Sequence, residues 1–92
     1  MTGNANPTEI FNAMVLDFVL EELDLGTTFC DVALCAYDPG MKERNRRNGR
    51  KAYESALHFL PRLNLAGTEH EVLQAKVSRL NDLLEQLDLK AW

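Results

Sequence analysis

Apolar residues recur along this chain at helical spacing, and no useful stretch shows the strict alternation of a half-buried strand. In the first third, one stripe reads Phe11, Met14/Val15, Phe18, Leu25, Phe29, Val32/Ala33 and Ala36. A second reads Leu16, Leu20, Leu23, Cys30, Leu34 and Tyr37. Ahead of both, Asn6 can cap, Pro7 suits the first helical position, and Glu9 can complete a capping box. The pattern predicts a helix over about 7–37, after a frayed start at residues 1–5. Two stripes make it apolar on more than one side, so it is expected to be the central element, contacting two neighbours or a second copy of itself. Gly26 falls inside the pattern, where glycine costs about 1 kcal/mol against alanine. Phe18, Leu25 and Phe29 stay on one side across it, which predicts a single long helix, continuous or kinked at that point.

Asp38-Pro39-Gly40 ends this helix, because proline disfavours helical geometry in the residue before it. Asp38 can also cap the next helix. That second helix is expected over about 41–60, stopped by Pro61. Its apolar residues gather in its second half, at Ala52, Tyr53, Ala56, Leu57, Phe59 and Leu60, while its first half is nearly all polar. Leu65-Ala66-Gly67 reads as a connector. Thr68-Glu69-His70-Glu71 then has the form of a capping box, ahead of a third helix over about 69–88. In that helix Leu73, Val77, Leu80, Leu84 and Leu87 repeat at spacings of four and three, widened by Leu83. Two heptads suit a helix in a bundle better than a free coiled coil. Asp88 to Trp92 reads as a short tail.

These elements imply an all-α fold, an antiparallel three-helix bundle in one domain spanning residues 1–92. The length supports one core and not two. Apolar residues at 46% and charged residues at 26% are ordinary globular usage.

The net charge of −4 conceals an uneven layout. Residues 1–38 carry seven acids and no Lys or Arg, residues 39–66 seven basics and two acids, and residues 67–92 three basics and five acids. Six basics fall within ten positions: Lys42, Arg44, Arg46, Arg47, Arg50 and Lys51. Such a cluster can hold phosphates of nucleic acid, lipid headgroups or an acidic peptide. The simpler account is pairing within the fold. A hairpin at Pro39-Gly40 brings Asp24 and Asp31 toward the Arg47–Lys51 region, in surface pairs worth about 0–1 kcal/mol each. No aromatic residue interleaves the basics, which removes the stacking component of single-strand binding. Nucleic acid is therefore disfavoured as a partner.

Catalytic chemistry finds little foothold. Cys30 and Cys35 on one helix point about 140° apart, which does not suit a disulfide. With His58 and His70 they lack any zinc-ligand spacing. Ser55 and Ser78 lie mid-helix, without a strand-to-helix elbow. Adjacent Glu21 and Glu22 point about 100° apart, and no glycine-rich phosphate cradle occurs. No enzyme, metal or cofactor is expected. Met1 to Pro7 has no basic leader region, and the apolar runs are too interrupted to span a bilayer. The expectation is a cytoplasmic protein.

Within the second helix, Gly49-x3-Tyr53-x2-Ala56-Leu57-x3-Pro61 resembles the second helix of a tetratricopeptide unit. Upstream, Ala33, Ala36, Tyr37 and Gly40 stand where that motif's signature residues belong, so the likeness is confined to residues 49–61, and no period of about 34 residues appears. The three-helix arrangement also looks like a microtubule-interacting-and-trafficking type of domain. Both resemblances imply a helical scaffold that binds peptides or partner proteins. Their physical content is that Ala52 and Ala56 let two helix backbones approach closely while Tyr53 fills the adjoining space.

Function is expected to rest on protein–protein contacts, with a homodimer favoured. The second helix is apolar mainly in its second half, so it leaves part of the first helix uncovered. Phe11, Val15, Leu16, Phe18 and Leu20 are the candidate self-association residues, since residual apolar surface usually marks an interface.

Overall fold

The computed structural model describes residues 6–65 and 67–90. The expected frayed start at residues 1–5, the connector residue Ala66, and the tail residues Ala91 and Trp92 lie outside them. The elements are α1 (Pro7–Cys35), α2 (Pro39–Phe59), a 3-10 turn at Leu60–Arg62, and α3 (Thr68–Lys90). Among the described residues there is no strand, and the fold is the all-α bundle that the periodicity implies.

Local chemistry sets the helix ends. The Glu9 backbone N–H donates to Asn6 Oδ1 at 2.8 Å, and Asn6 Nδ2 donates to Glu9 Oε1 at 3.2 Å, so two groups at the start of α1 satisfy each other. Asp38 does the same for α2, accepting from the Met41 N–H at 2.8 Å. Pro39 and Gly40 therefore belong to the first turn of α2, which starts two residues earlier than the apolar pattern indicates. Asp38 must be extended ahead of proline, and Ala36 is already extended, so α1 stops at Cys35. At the far end Pro61 has no N–H for the Leu57 carbonyl, and the chain tightens into the 3-10 turn. The capping box expected at Thr68 does not form in that register. Thr68 is the first helical residue, and the Glu71 N–H donates to the Gly67 carbonyl at 3.2 Å.

The helices run up, down and up, so α2 is antiparallel to both neighbours and α1 lies parallel to α3. The α1–α2 contact is the most extensive and the α2–α3 contact is slighter. The core combines Val15, Val19, Leu23, Cys30 and Ala33 of α1 with Ala56 of α2 and Leu73, Leu80, Leu83, Leu84 and Leu87 of α3. The α3 seam is thus the one its spacing predicts, with Val77 half-buried beside it.

For α1 the buried line differs from both sequence stripes. It is Val15, Val19, Leu23, Gly26, Cys30 and Ala33, and it runs between them. The reason is the close approach of α1 and α2. A Cβ on Gly26 would lie 2.7 Å from Leu80 Cδ2, 3.1 Å from Ala52 Cβ and 3.3 Å from the Gly49 carbonyl oxygen. A Cβ on Gly49 would lie 2.7 Å from Cys30 Sγ and 3.3 Å from the Gly26 carbonyl oxygen. Gly26 therefore neither breaks nor divides α1, which is unbroken through it. It and Gly49 are the two positions where the backbones nearly touch. Ala52 and Ala56 continue the crossing, both buried. Tyr53 is half-buried beside them and donates its hydroxyl to Asn81 Oδ1 on α3 at 3.3 Å.

Candidate functional site

The candidate self-association residues divide into three groups. Val15 is buried in the chain's own core and is not available to a second copy, because the contact line on α1 passes through it. Leu16 and Leu20 are half-buried, and with Thr68, Glu69 and Val72 they line a shallow hollow between α1 and α3. Phe18 sits edge-on to Phe59, ring centroids 5.2 Å apart, yet remains exposed on its outer side, as does Phe11.

An uncovered apolar line on α1 is only partly marked by the sequence stripes. Ile10, Phe11, Met14, Phe18, Leu25 and Val32 are all exposed, with Met14 at 67% and Leu25 at 47%. At 3.6 residues per turn, Ile10, Met14, Leu25 and Val32 fall within about 60° of one another, on the side of α1 opposite the buried line. Phe18 and Phe11 border them toward α2. Met14, Leu25 and Val32 belong to the first sequence stripe, where they pass for core residues, and Ile10 belongs to neither. The signal that separates them is the line of small residues, Gly26, Cys30 and Ala33, which marks where a neighbouring backbone must come close.

The acidic residues of α1 border the same face. Asp17, Asp24 and Asp31 repeat at intervals of seven along its α3 side, Glu21 lies within it, and Glu22 stands on its α2 side. Asp24 accepts from Lys76 Nζ of α3 at 2.7 Å.

That pair corrects the charge arrangement expected from the sequence. Asp24 and Asp31 do not meet the arginines of α2. The partner is Asp88 on α3, whose Oδ1 accepts from Arg46 Nη1 at 2.9 Å and whose Oδ2 accepts from Arg50 Nη2 at 2.7 Å. Arg46 also grips Glu43 through Nε and Nη2, at 2.9 and 2.8 Å. Arg47 approaches Glu43 at 3.7 Å. Hydrogen bonding from Arg46 holds the Glu43 carboxyl below the usual carboxylate range. Lys42, Arg44 and Lys51 form no ion pair among the described residues. Of these three, Arg44 and Lys51 are exposed, as is Arg47. The six basics thus do not converge on one face. Arg46, Arg47 and Arg50 are paired with carboxylates, Arg47 only at 3.7 Å, and on the outer row Arg44 and Lys51 are exposed without an ion pair among the described residues.

Both cysteines are free thiols. Cys30 is fully enclosed at the α1–α2 crossing, and burial, assisted by Asp31, pushes its pKa up to about 11. Cys35 is exposed beside Val32, Ala36 and Met41 in a shallow hollow at the α1–α2 turn. His58 stands edge-on to Phe59, and His70 lines a depression with Leu60, Leu63 and Leu73. Among the described residues no three His, Cys, Asp or Glu side chains gather as metal ligands do, and no helix is long and apolar enough to cross a membrane. No family model, curated protein or solved structure matches the chain.

Proposed function

We propose that this chain is a small non-catalytic helical domain of the cytoplasm that works through protein–protein contacts made by the outer face of α1. The observation that carries this reading is the uncovered apolar line from Ile10 to Val32 on a helix whose opposite side is already in the core. Six large apolar side chains stand there, each roughly half exposed. Full burial of such a side chain is worth about 1.5–3 kcal/mol, so covering the exposed halves gives roughly 5–9 kcal/mol gross. Association itself costs about 4–15 kcal/mol, so the apolar line alone supports a weak complex, and a specific one needs help from charge. The two free thiols suit a reducing compartment.

A homodimer is one form of this reading. Its test is sedimentation velocity at micromolar concentration on the wild type and on a Met14→Gln/Leu25→Gln variant, whose changes lie outside the core. A dimer that becomes monomeric in the variant supports self-contact through α1. A monomer that also ignores every added amphipathic helix would defeat the reading as a whole. Phosphate binding through Lys42, Arg44, Arg46, Arg47, Arg50 and Lys51 has weaker support, because Asp88 and Glu43 already occupy Arg46, Arg47 and Arg50.

A further inference from the structure

We propose that the outer face of α1 takes a cationic amphipathic helix from another protein. The inference rests on the contact role just assigned to that face and names its occupant. The exposed apolar residues follow helical spacing over about six turns, the form in which one helix receives the anchors of another. The charged residues of α1 itself have a single sign. α1 contains Glu9, Asp17, Glu21, Glu22, Asp24 and Asp31 and no Lys or Arg. Asp17, Asp24 and Asp31 stand in a row at heptad intervals, the placing that edge charges take beside an apolar seam. Of the cations on neighbouring elements, Lys76 pairs with Asp24, and Arg62 lies over the Phe59 ring at 5.4 Å.

Charge argues against a second copy in this position. In an antiparallel α1–α1 pair the same edge of each helix meets, so the row of Asp17, Asp24 and Asp31 would face its own image. In a parallel pair that row would face the edge bearing Glu22. Either way carboxylates meet carboxylates, which is destabilising. The basic row of α2, Arg44, Arg47 and Lys51, has the right sign but no large apolar residue among its members to fill the line from Ile10 to Val32. A helix with Leu, Ile, Phe or Met anchors on one side and Lys or Arg along their edges meets both requirements. The anchors supply contact area, and the rim charges raise the association rate and select against acidic partners.

The test uses the intact chain and three synthetic helical peptides: a leucine–lysine amphipathic peptide, its leucine–glutamate counterpart, and a scrambled leucine–lysine peptide with no apolar face. Binding is followed by fluorescence anisotropy at low and at physiological salt. The leucine–lysine peptide is expected to bind at least about tenfold more tightly than either of the others. Met14→Gln/Leu25→Gln should abolish that binding, and Asp17→Lys/Glu21→Lys should narrow the preference for the lysine peptide over the glutamate peptide. Circular dichroism checks that both exposed double variants stay folded. Equal binding of the lysine and glutamate peptides, lost in Met14→Gln/Leu25→Gln, would overturn the cationic partner and leave the α1 contact surface standing. A dimer through α1 that ignores all three peptides would have the same consequence. Equal binding of the scrambled peptide, or indifference to Met14→Gln/Leu25→Gln, would overturn the proposal by showing attraction to net charge alone.

Discussion

Replacing Gly49 by alanine sets two effects of known sign against each other. In an exposed helix interior the change stabilises by about 1 kcal/mol, because alanine is the better helix former. At Gly49 the new Cβ would stand 2.7 Å from Cys30 Sγ, 3.3 Å from the Gly26 carbonyl oxygen and 3.7 Å from Phe29 Cβ. Cys30 has no exposed surface, and its short side chain has nowhere to swing. The backbones must part, and overpacking of this kind costs about 1–3 kcal/mol. The net expectation for Gly49→Ala is a loss of about 0–2 kcal/mol. Cys30→Ala removes the closest obstacle and leaves neighbours at 3.3 Å and beyond, so in that background Gly49→Ala should be neutral or stabilising by up to about 1 kcal/mol. The two sites therefore couple by up to the overpacking cost of about 1–3 kcal/mol, readable from a double-mutant cycle in urea followed by circular dichroism at constant m-value. The refuting result is a Gly49→Ala single variant more stable than wild type, with no coupling to Cys30. Helix propensity would then govern the site, and the close crossing of α1 and α2 would be wrong.

Cys30 makes a second prediction. Its thiol must stay protonated in the fold, with a pKa near 11 against an ordinary 9.0, so its contribution is intact below about pH 9 and is lost as pH rises through 11. The full loss is about 2–3 kcal/mol, and Cys30→Ala should flatten this part of the alkaline stability profile. In the native state a thiol reagent should label Cys35 only, with Cys30 reacting after unfolding; two native labels would contradict the burial at the crossing. Asp88→Asn weakens both arginine contacts, but these groups are partly exposed, so the cost should not exceed about 1 kcal/mol and should shrink with added salt. A loss well above that would mean Asp88 holds α3 in place. The wild type should not shift a short DNA duplex at low salt. A shift removed by Arg44→Gln/Arg47→Gln/Lys51→Gln would restore the phosphate reading.

The elements that depend on near neighbours are legible in the sequence. Asn6-Pro7-Thr8-Glu9, Asp38-Pro39 and Pro61 act within a few residues through missing or capped N–H groups, and they place the starts and stops of α1 and α2 within about two residues. The α3 seam was legible for the same reason, since only one side of that helix is leucine-rich. On α1 the apolar residues lie on several sides, so periodicity could not choose which line is buried. The tertiary structure chose the line containing Gly26, Cys30 and Ala33, where small side chains let Gly49 and Ala52 approach. That choice moved Val15 from candidate surface to core and put Met14 and Leu25 outside. It also decided the charges. Arg46 and Arg50 find Asp88 some forty residues away, and Asp24 finds Lys76 across fifty. Formal charge along a chain gives the sign of such partners but not their identity, because pairing follows how the three helices pack, and the small residues Gly26 and Gly49 decide how closely α1 and α2 do so.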